Sequence, residues 1–384
     1  MLSPEDLAYQ EHCRQYAATE LVEIEKKYGE INEVPEELRR SMANAGLFKH
    51  SIPAEYGGDG VSATRICLAR EALAGVYGPA DVTLAMQGLG SFPIVLGGNE
   101  EQKQRYLPKI VSGDYLTTFA LTEPNAGSDA ANISTSAVLE GEHWILNGSK
   151  LFITNGDCAD IFTTIAVTDH AKGARGGVSA FIVKRDMPGF SAGAADRKMG
   201  LKGSHTTELI FKNCRVPREN VIGGMPMVGQ GFKTAMSVLD KGRLTMGACA
   251  LGASQRLLDM SVVHLKKLVA AGVFQKDLQA RQFMLADMAT EIFAARQMLY
   301  HAARMRDQGL PVSQEASMVK LFCTETASRI ADRAMDIHGD EGYLKRAGIE
   351  MFLRDVRLYR IYEGTSEIQR LLIARHLLKD DRRP

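Results

Sequence analysis

One carboxylate near the end of the chain sits in a setting suited to proton transfer. The run Ile361-Tyr362-Glu363-Gly364-Thr365-Ser366-Glu367-Ile368-Gln369-Arg370 sets Glu363 beside a glycine and two hydroxyls at the head of an apolar stretch. Thr365 and Ser366 are good helix caps, so the ordinary alternative for Glu363 is a surface carboxylate at a helix start. A carboxylate so placed can also serve as a base over a bound cofactor. Two other segments offer ligand-facing groups. Phe119-Ala120-Leu121-Thr122-Glu123-Pro124-Asn125-Ala126-Gly127-Ser128-Asp129 reads as an extended lead-in, a Pro-Asn turn and a small-residue loop whose amides and hydroxyls can approach a flat polar ligand. Leu151-Phe152-Ile153-Thr154-Asn155-Gly156 reads as a strand, and period two sets Phe152 and Thr154 on one face, a ring to stack and a hydroxyl to bond. Taken singly, the first segment is an ordinary loop and the second a core phenylalanine beside a satisfied threonine.

These segments need elements to hold them. From Glu5 to about Gly113 the apolar residues recur at helical spacing, with breaks at Pro35, at Pro53 to Gly60 and at Gly97-Gly98-Asn99. From about Thr117 to Val228 short β-rich runs take over: His143 to Leu146, Leu151 to Thr154, Ile161 to Val167, Val178 to Val183 and Glu208 to Phe211. Asn147-Gly148, between the first two, reads as a hairpin turn. After Gly231 the helical period returns, with Met284, Met288, Ile292, Ala295 and Leu299 on one apolar stripe, which predicts a bundle. The expectation is an α+β chain of three units, residues 1–117, 118–229 and 230–384, packed together without long linkers.

Composition narrows the function classes. The chain has 384 residues, and its 46 lysines and arginines balance 46 aspartates and glutamates, which gives no electrostatic reason to expect nucleic acid or an anionic membrane as partner. Cys13, Cys67, Cys158, Cys214, Cys249 and Cys323 stand singly, as reduced core residues do, and no histidine or cysteine pair has metal-ligand spacing, so no metal is expected. Met1 leads straight into charged, helix-compatible sequence, and no apolar run approaches the roughly 18 residues that span a bilayer. A cytoplasmic protein with a small-molecule substrate is expected.

Together the three segments resemble the acyl-CoA dehydrogenase family, and the resemblance extends over essentially the whole chain. It is carried also by Pro53-Ala54-Glu55-Tyr56-Gly57-Gly58, Gly98-Asn99-Glu100-Glu101-Gln102-Lys103 and Leu239-Asp240-Lys241-Gly242-Arg243, in the family's order and spacing. The resemblance implies an N-terminal helical domain, a central β-barrel domain and a C-terminal four-helix bundle, assembled as a homotetramer. It implies FAD between β domain and bundle, with the acyl thioester, on CoA or an acyl carrier, sandwiched between flavin and catalytic carboxylate. Phe119, Leu121, Thr122, Ser128, Phe152, Ile153, Thr154, Gly364, Thr365 and Glu367 then fall at cofactor-binding positions. Within that set Thr122 and Thr154 bond the flavin ring, Phe152 covers it, and Ser128 lies near phosphate or thioester. Asp240 and Arg243 match positions beside the acyl-CoA chain, and Arg375 one near the CoA nucleotide. Glu363 becomes the base that removes the α proton while the flavin accepts the β hydride, giving the trans-2-enoyl product and passing electrons to an electron-transfer flavoprotein. Some relatives carry their base at the position matching Gly242, which places this chain with the short- and medium-chain type.

The chain departs from the family pattern where FAD pyrophosphate and adenosine should be gripped. An arginine and a phenylalanine that reach the FAD of a neighbouring subunit are replaced by Leu268 and Ala271, and a glutamine and a glycine by Asp336 and Asp340. The alternative function is therefore a protein of this fold with weak or no FAD binding, acting as a proton-transfer or cyclisation catalyst or as a partner subunit.

Overall fold

The computed structural model describes residues 2–378; the last six residues of the third expected unit, 379–384, lie outside that range. Helix starts follow local capping chemistry. Ser3 closes a capping box with Asp6 at the head of α1 (Pro4–Tyr16), and Asn99 closes one with Gln102 at α6 (Glu100–Val111). Between them come α2 (Val22–Tyr28), α3 (Glu36–Asn44), which begins directly after Pro35, α4 (Ala63–Ala74) and α5 (Gly78–Gly97). Helices α4 and α5 are buried on nearly every side, so the charges they carry, Arg70 and Asp81, must find partners inside the fold.

The middle of the chain forms one curled seven-stranded sheet. Its strands are β1 (Thr117–Ala120), β2 (Ser136–Glu140), β3 (His143–Thr154), β4 (Ile161–Val167), β5 (Val178–Lys184), β6 (Phe190–Ala192) and β7 (Thr206–Pro217). They lie in the order β1-β4-β2-β3-β7-β6, with β5 paired to β4. Two apolar clusters line the sheet, one shared with α5, α6 and the start of the third unit and the other built on Trp144, Phe162, Phe181 and Phe211. The expectation of a hairpin at Asn147-Gly148 is corrected: β3 runs straight through it, and the register against β7 shifts there instead. The true turn between β2 and β3 lies at Gly141-Glu142, since Glu140 pairs with His143 and Gly141 takes φ 59°. Asn147 spends its side chain on the Asn213 amide across the bulge, which removes its need for a turn.

Beyond the single turn α7 (Ala174–Gly177), the chain enters α8 (Gly231–Ala270), α9 (Gln279–Asp307) and α10 (Ser313–His338), followed by the short α11 (Asp340–Tyr343), α12 (Ile349–Tyr359) and α13 (Ser366–Leu377). The α9 stripe behaves as its period requires: Met288, Ile292, Ala295 and Leu299 are buried, and Met284 packs against the same core. Residues 241–254 of α8 are buried without interruption, because α4, α5 and α10 surround that stretch. Contact with α4 is so close that a Cβ on Gly252 would lie 2.1 Å from the Glu71 carbonyl oxygen. This intimacy brings Arg70 of α4 beside the polar residues of α8.

Candidate active site

Glu363 lies in the turn between α12 and α13. The chain there takes φ 54° at Glu363 and 92° at Gly364, then Thr365 caps α13 by accepting a hydrogen bond from the Ile368 amide. A left-handed backbone at a side-chain-bearing residue costs roughly 1–3 kcal/mol, and persists where the surroundings over-determine it. Here it aims the carboxylate at α8. Glu363 is only half-buried as a residue, but its Oε2 atom is shut off from solvent and has no hydrogen-bond partner. Gly242 makes room for it: a Cβ at that position would lie 1.9 Å from Oε2 and 2.9 Å from Cδ. Gly242 and the Glu363 carboxylate therefore occupy the same corner of the fold.

The charges around that corner are specific. Arg70 clasps Asp81 through two bonds of 2.7 and 2.8 Å and donates a third, of 2.8 Å, to the Thr245 hydroxyl of α8. Arg243 donates to Asp240 at 2.7 Å and keeps a buried Nε without a partner. Lys320 of α10 is fully buried, and its Nζ is likewise unpartnered. Burial raises the Glu363 pKa; the Arg70, Lys320 and Arg243 cations work against it, while Asp81 adds to it, and burial prevails. Burial also lowers Lys320 to about 8, against the upward pull of Glu363 and Glu325. A carboxylate with a raised pKa, a free oxygen and no competing donor is equipped to accept a proton.

The second set of residues gathers at the edge of the sheet. The Leu151 amide donates to the Thr122 carbonyl at 2.8 Å and the Thr118 hydroxyl to the Thr154 carbonyl at 2.6 Å, which stitches the 119–129 loop and β1 to the end of β3. Thr122 and Thr154 are half-buried, and among the described residues neither hydroxyl has a side-chain partner. Phe152 is 64% exposed and held at φ 56°. The common face expected from period two is corrected in its cause: the register shifts between Lys150 and Ile153, and the left-handed Phe152 breaks the pleat. An exposed ring on strained backbone beside two free hydroxyls suits the face and edge of a flat heterocycle, so these residues fit a flavin. Ile153 and Leu121 are buried and support the edge from within. Phe119 joins the two sets, since it packs against the helical core that also takes up Leu89 and Tyr362.

Other residues singled out in the sequence lie further out. Ser128, Glu367 and Arg375 are exposed, Thr365 acts as a cap, and Arg243 approaches Gly364, whose Cβ would stand 3.6 Å from the Arg243 Nε. Ala271, Asp336 and Asp340 are exposed and Leu268 half-buried, at the ends of α8 and α10, where the rings of His264 and His338 meet with centroids 4.4 Å apart.

Sequence reading missed two buried ion pairs. One is Arg70–Asp81, for which the only signal was an arginine and an aspartate inside otherwise buried helices. The other is Lys150–Glu123 at 2.7 Å, beneath the 119–129 loop. Burial would raise Glu123, but the Lys150 ammonium and bonds from Thr135 and Ser134 carry it down to about 2. The pair fixes the loop that bears Thr122. His205 lies beside Asp157 and Cys158. Both its ring nitrogens are engaged, with Asp157 at 2.6 Å and the Asn32 carbonyl at 3.0 Å, so it ties the sheet to the N-terminal helices.

A cavity of about 1060 Å³ lies between the N-terminal helices and the bundle around Arg14, Glu71, Arg256 and Arg296, and none of the site residues described above lines it. Chemistry therefore selects the Glu363 corner over volume. A cavity of about 20 Å³ does adjoin that corner, lined by Arg70, Leu89, Lys241, Gly242 and Thr245. Such a volume holds about one water.

Comparison with known proteins agrees with this geometry. Three family models match in succession: the acyl-CoA dehydrogenase N-terminal domain over residues 3–114, the middle domain over 118–214 and the C-terminal domain over 229–378. An acyl-CoA dehydrogenase of Bacillus subtilis (strain 168) is 41% identical over 378 residues, 98% of this chain and 99% of that protein. The solved butyryl-CoA dehydrogenase of Megasphaera elsdenii is 34% identical with a TM-score of 0.93, covering 99% of each chain. A chain from a structure described as the electron transferring flavoprotein of Acidaminococcus fermentans is 39% identical with a TM-score of 0.94, again covering 99% of each chain. With identity of this order along its full described length, the chain belongs to the acyl-CoA dehydrogenase family.

Proposed function

We propose that this protein carries out the FAD-dependent α,β-dehydrogenation of an acyl-CoA to the trans-2-enoyl-CoA, with Glu363 as the base. The observation that carries this reading is the Glu363 carboxylate: strained into place, unpartnered at Oε2, raised in pKa and seated where Gly242 leaves space. FAD supplies the hydride acceptor when bound. Phe152, Thr122 and Thr154 would hold its ring system, and Gly364, Thr365 and Glu367 would contribute from the turn before α13. Glu363 takes the α proton onto its free oxygen, and the acyl thioester, by excluding the remaining water, strengthens every charge interaction around it. Asp240 and Arg243 line the way to the acyl chain, and Arg375 meets the nucleotide end of CoA.

The partner reading follows from the same family: the electrons leave to an electron-transfer flavoprotein, as the described source of one close structural neighbour suggests. Exposed Phe283 and Phe293 on α9 and Val263 on α8, each more than half exposed, support burial of the bundle in a homotetramer. No helix among the described residues is long and apolar enough to cross a membrane, in keeping with a cytoplasmic enzyme. The flavin-poor alternative draws no support from the sheet edge, where the groups that suit the ring are intact.

Glu363→Gln tests the assignment. The expected result is a yellow protein whose flavin band bleaches at least about a hundredfold more slowly on mixing with acyl-CoA, since a positioned base contributes roughly 10²–10⁴ in rate. Bleaching at near wild-type rate removes Glu363 from the mechanism. A wild-type protein that is colourless and cannot be reconstituted with FAD overturns the dehydrogenase reading itself.

A further inference from the structure

We infer that Gln369 is a positioning residue for the catalytic turn, its side-chain amide clamping the Glu363 and Gly364 carbonyls so that the Glu363 carboxylate stays aimed at Gly242. The inference rests on the reading of Glu363 as the base.

Gln369 lies in the first turn of α13 and is fully buried. Side chains at a helix start ordinarily serve the unpaired amides of the first turn. Gln369 does the opposite. Its Nε2 reaches back past the Thr365 cap and donates to two carbonyls that precede the helix, that of Gly364 at 3.0 Å and that of Glu363 at 3.4 Å. Those two residues are consecutive left-handed positions, φ 54° and 92°, so their carbonyls have no helical or strand partner to turn to. One amide with two hydrogens bridges both peptide groups and thereby fixes the rotation between them.

The packing is equally specific. A Cβ on Gly364 would lie 2.6 Å from Gln369 Nε2, so the glycine serves the clamp as well as the backbone conformation. The Gln369 Oε1 acceptor, by contrast, is buried without a partner. A buried amide with an unmet acceptor is costly to keep. The donor half of the side chain is the half the fold uses. Ser366, in the same first turn of α13, donates to Glu325 of α10 at 2.6 Å, and α10 packs against α13. The clamp is thus anchored to the bundle. The side chain touches neither the reacting atoms nor the carboxylate, and it acts through the backbone of Glu363.

Displacement of a reacting group by about 1 Å can cost a hundredfold in rate, so releasing the clamp should act on the chemical step more than on binding. The experiment compares Gln369→Ala and Gln369→Glu with wild type and with Glu363→Gln, as FAD-loaded enzymes. Stopped-flow flavin bleaching over a range of butyryl-CoA concentrations gives the limiting rate and the apparent binding constant separately. Gln369→Glu keeps the volume and removes the donor. Both Gln369 variants should lose tenfold to a hundredfold in limiting rate, with apparent binding constants within threefold of wild type and the flavin absorption band retained. Limiting rates within twofold of wild type in Gln369→Glu, losses confined to the binding constant, or failure of both variants to fold would each overturn the inference, the last by making Gln369 a residue of the fold alone. Should Glu363→Gln itself bleach at wild-type rate, it is the base assignment that fails, which separates the two readings.

Discussion

Replacing Gly242 by alanine adds one carbon where the Glu363 carboxylate stands. At 1.9 Å from Glu363 Oε2, the new Cβ forces a separation of roughly 1.1 Å merely to reach a tight 3.0 Å contact. The atoms that must give way, Oε2 and Cδ of Glu363 and Cδ2 of Leu89 at 3.2 Å, belong to the ends of flexible side chains. The fold can therefore accept the methyl by swinging Glu363 aside, and the alanine gains up to about 1 kcal/mol in intrinsic helix preference over glycine. Stability should stay within about 1 kcal/mol of wild type. Catalysis should not, because a shift of this size in a positioned base is worth about a hundredfold in rate. Thermal unfolding of the FAD-loaded protein and stopped-flow flavin bleaching with butyryl-CoA measure the two effects on one sample. A variant that bleaches within threefold of wild type would refute the placement of the working carboxylate against Gly242. A variant destabilised by several kcal/mol would show instead that the corner cannot yield as argued.

The acid limb of the pH profile for kcat/KM should lie above the ordinary glutamate value of about 4.5, since burial raises Glu363 and its basic form is present only above that pKa. Lys320 titrates at about 8 when folded and 10.5 when free, so the unfolded chain binds the extra proton between those values and stability should rise with pH across that window by an amount on the order of 3 kcal/mol; denaturant melts of Lys320→Met should lack the rise. Arg70→Met leaves Asp81 buried without its partner and should cost about 3–5 kcal/mol in urea unfolding. Leu268→Arg should tighten FAD retention on dilution, restoring a charged donor worth roughly 1.5–3 kcal/mol at the cofactor's pyrophosphate end; unchanged retention would mean that Leu268 does not face the cofactor.

What the chain reveals before folding follows from the range of the forces involved. The Thr365 cap is local, and it starts its helix as written. The α9 stripe is a periodic property of one segment, and it is buried as a unit. Asn147-Gly148 misleads because its turn preference is overridden by pairing along both neighbours of β3, with the misfit absorbed as a bulge. Phe152 and Thr154 are found at the same edge of the sheet, but a break in the pleat sets their directions where simple alternation was expected. Arg70, Asp81, Lys150, Glu123 and Lys320 could not be recognised as inner charges. The partners of the first four lie across the fold or one helix away, the Lys320 Nζ has none, and nothing in the type of a lysine or arginine announces that it will be buried.

Those inner charges bear on how one glutamate can work as a base at all. Near Glu363 the fold assembles Arg70, Lys320 and Arg243 against Asp81, Asp240 and Glu363 itself, three cations and three anions. Arg70, though bonded to Asp81, remains the strongest downward pull on Glu363 and is partly offset by Asp81, while Lys320 adds a counter-charge whose Nζ has no hydrogen-bond partner. An isolated buried glutamate would rise so far in pKa that it would stay protonated and useless as a base. One paired off with a free arginine would be too weak a base to reach for a carbon acid. A lysine that is itself depressed and makes no hydrogen bond lies between these extremes. It permits the carboxylate to ionise without bonding to it, and so leaves Oε2 free in the one direction, toward Gly242, that the turn and its clamp allow.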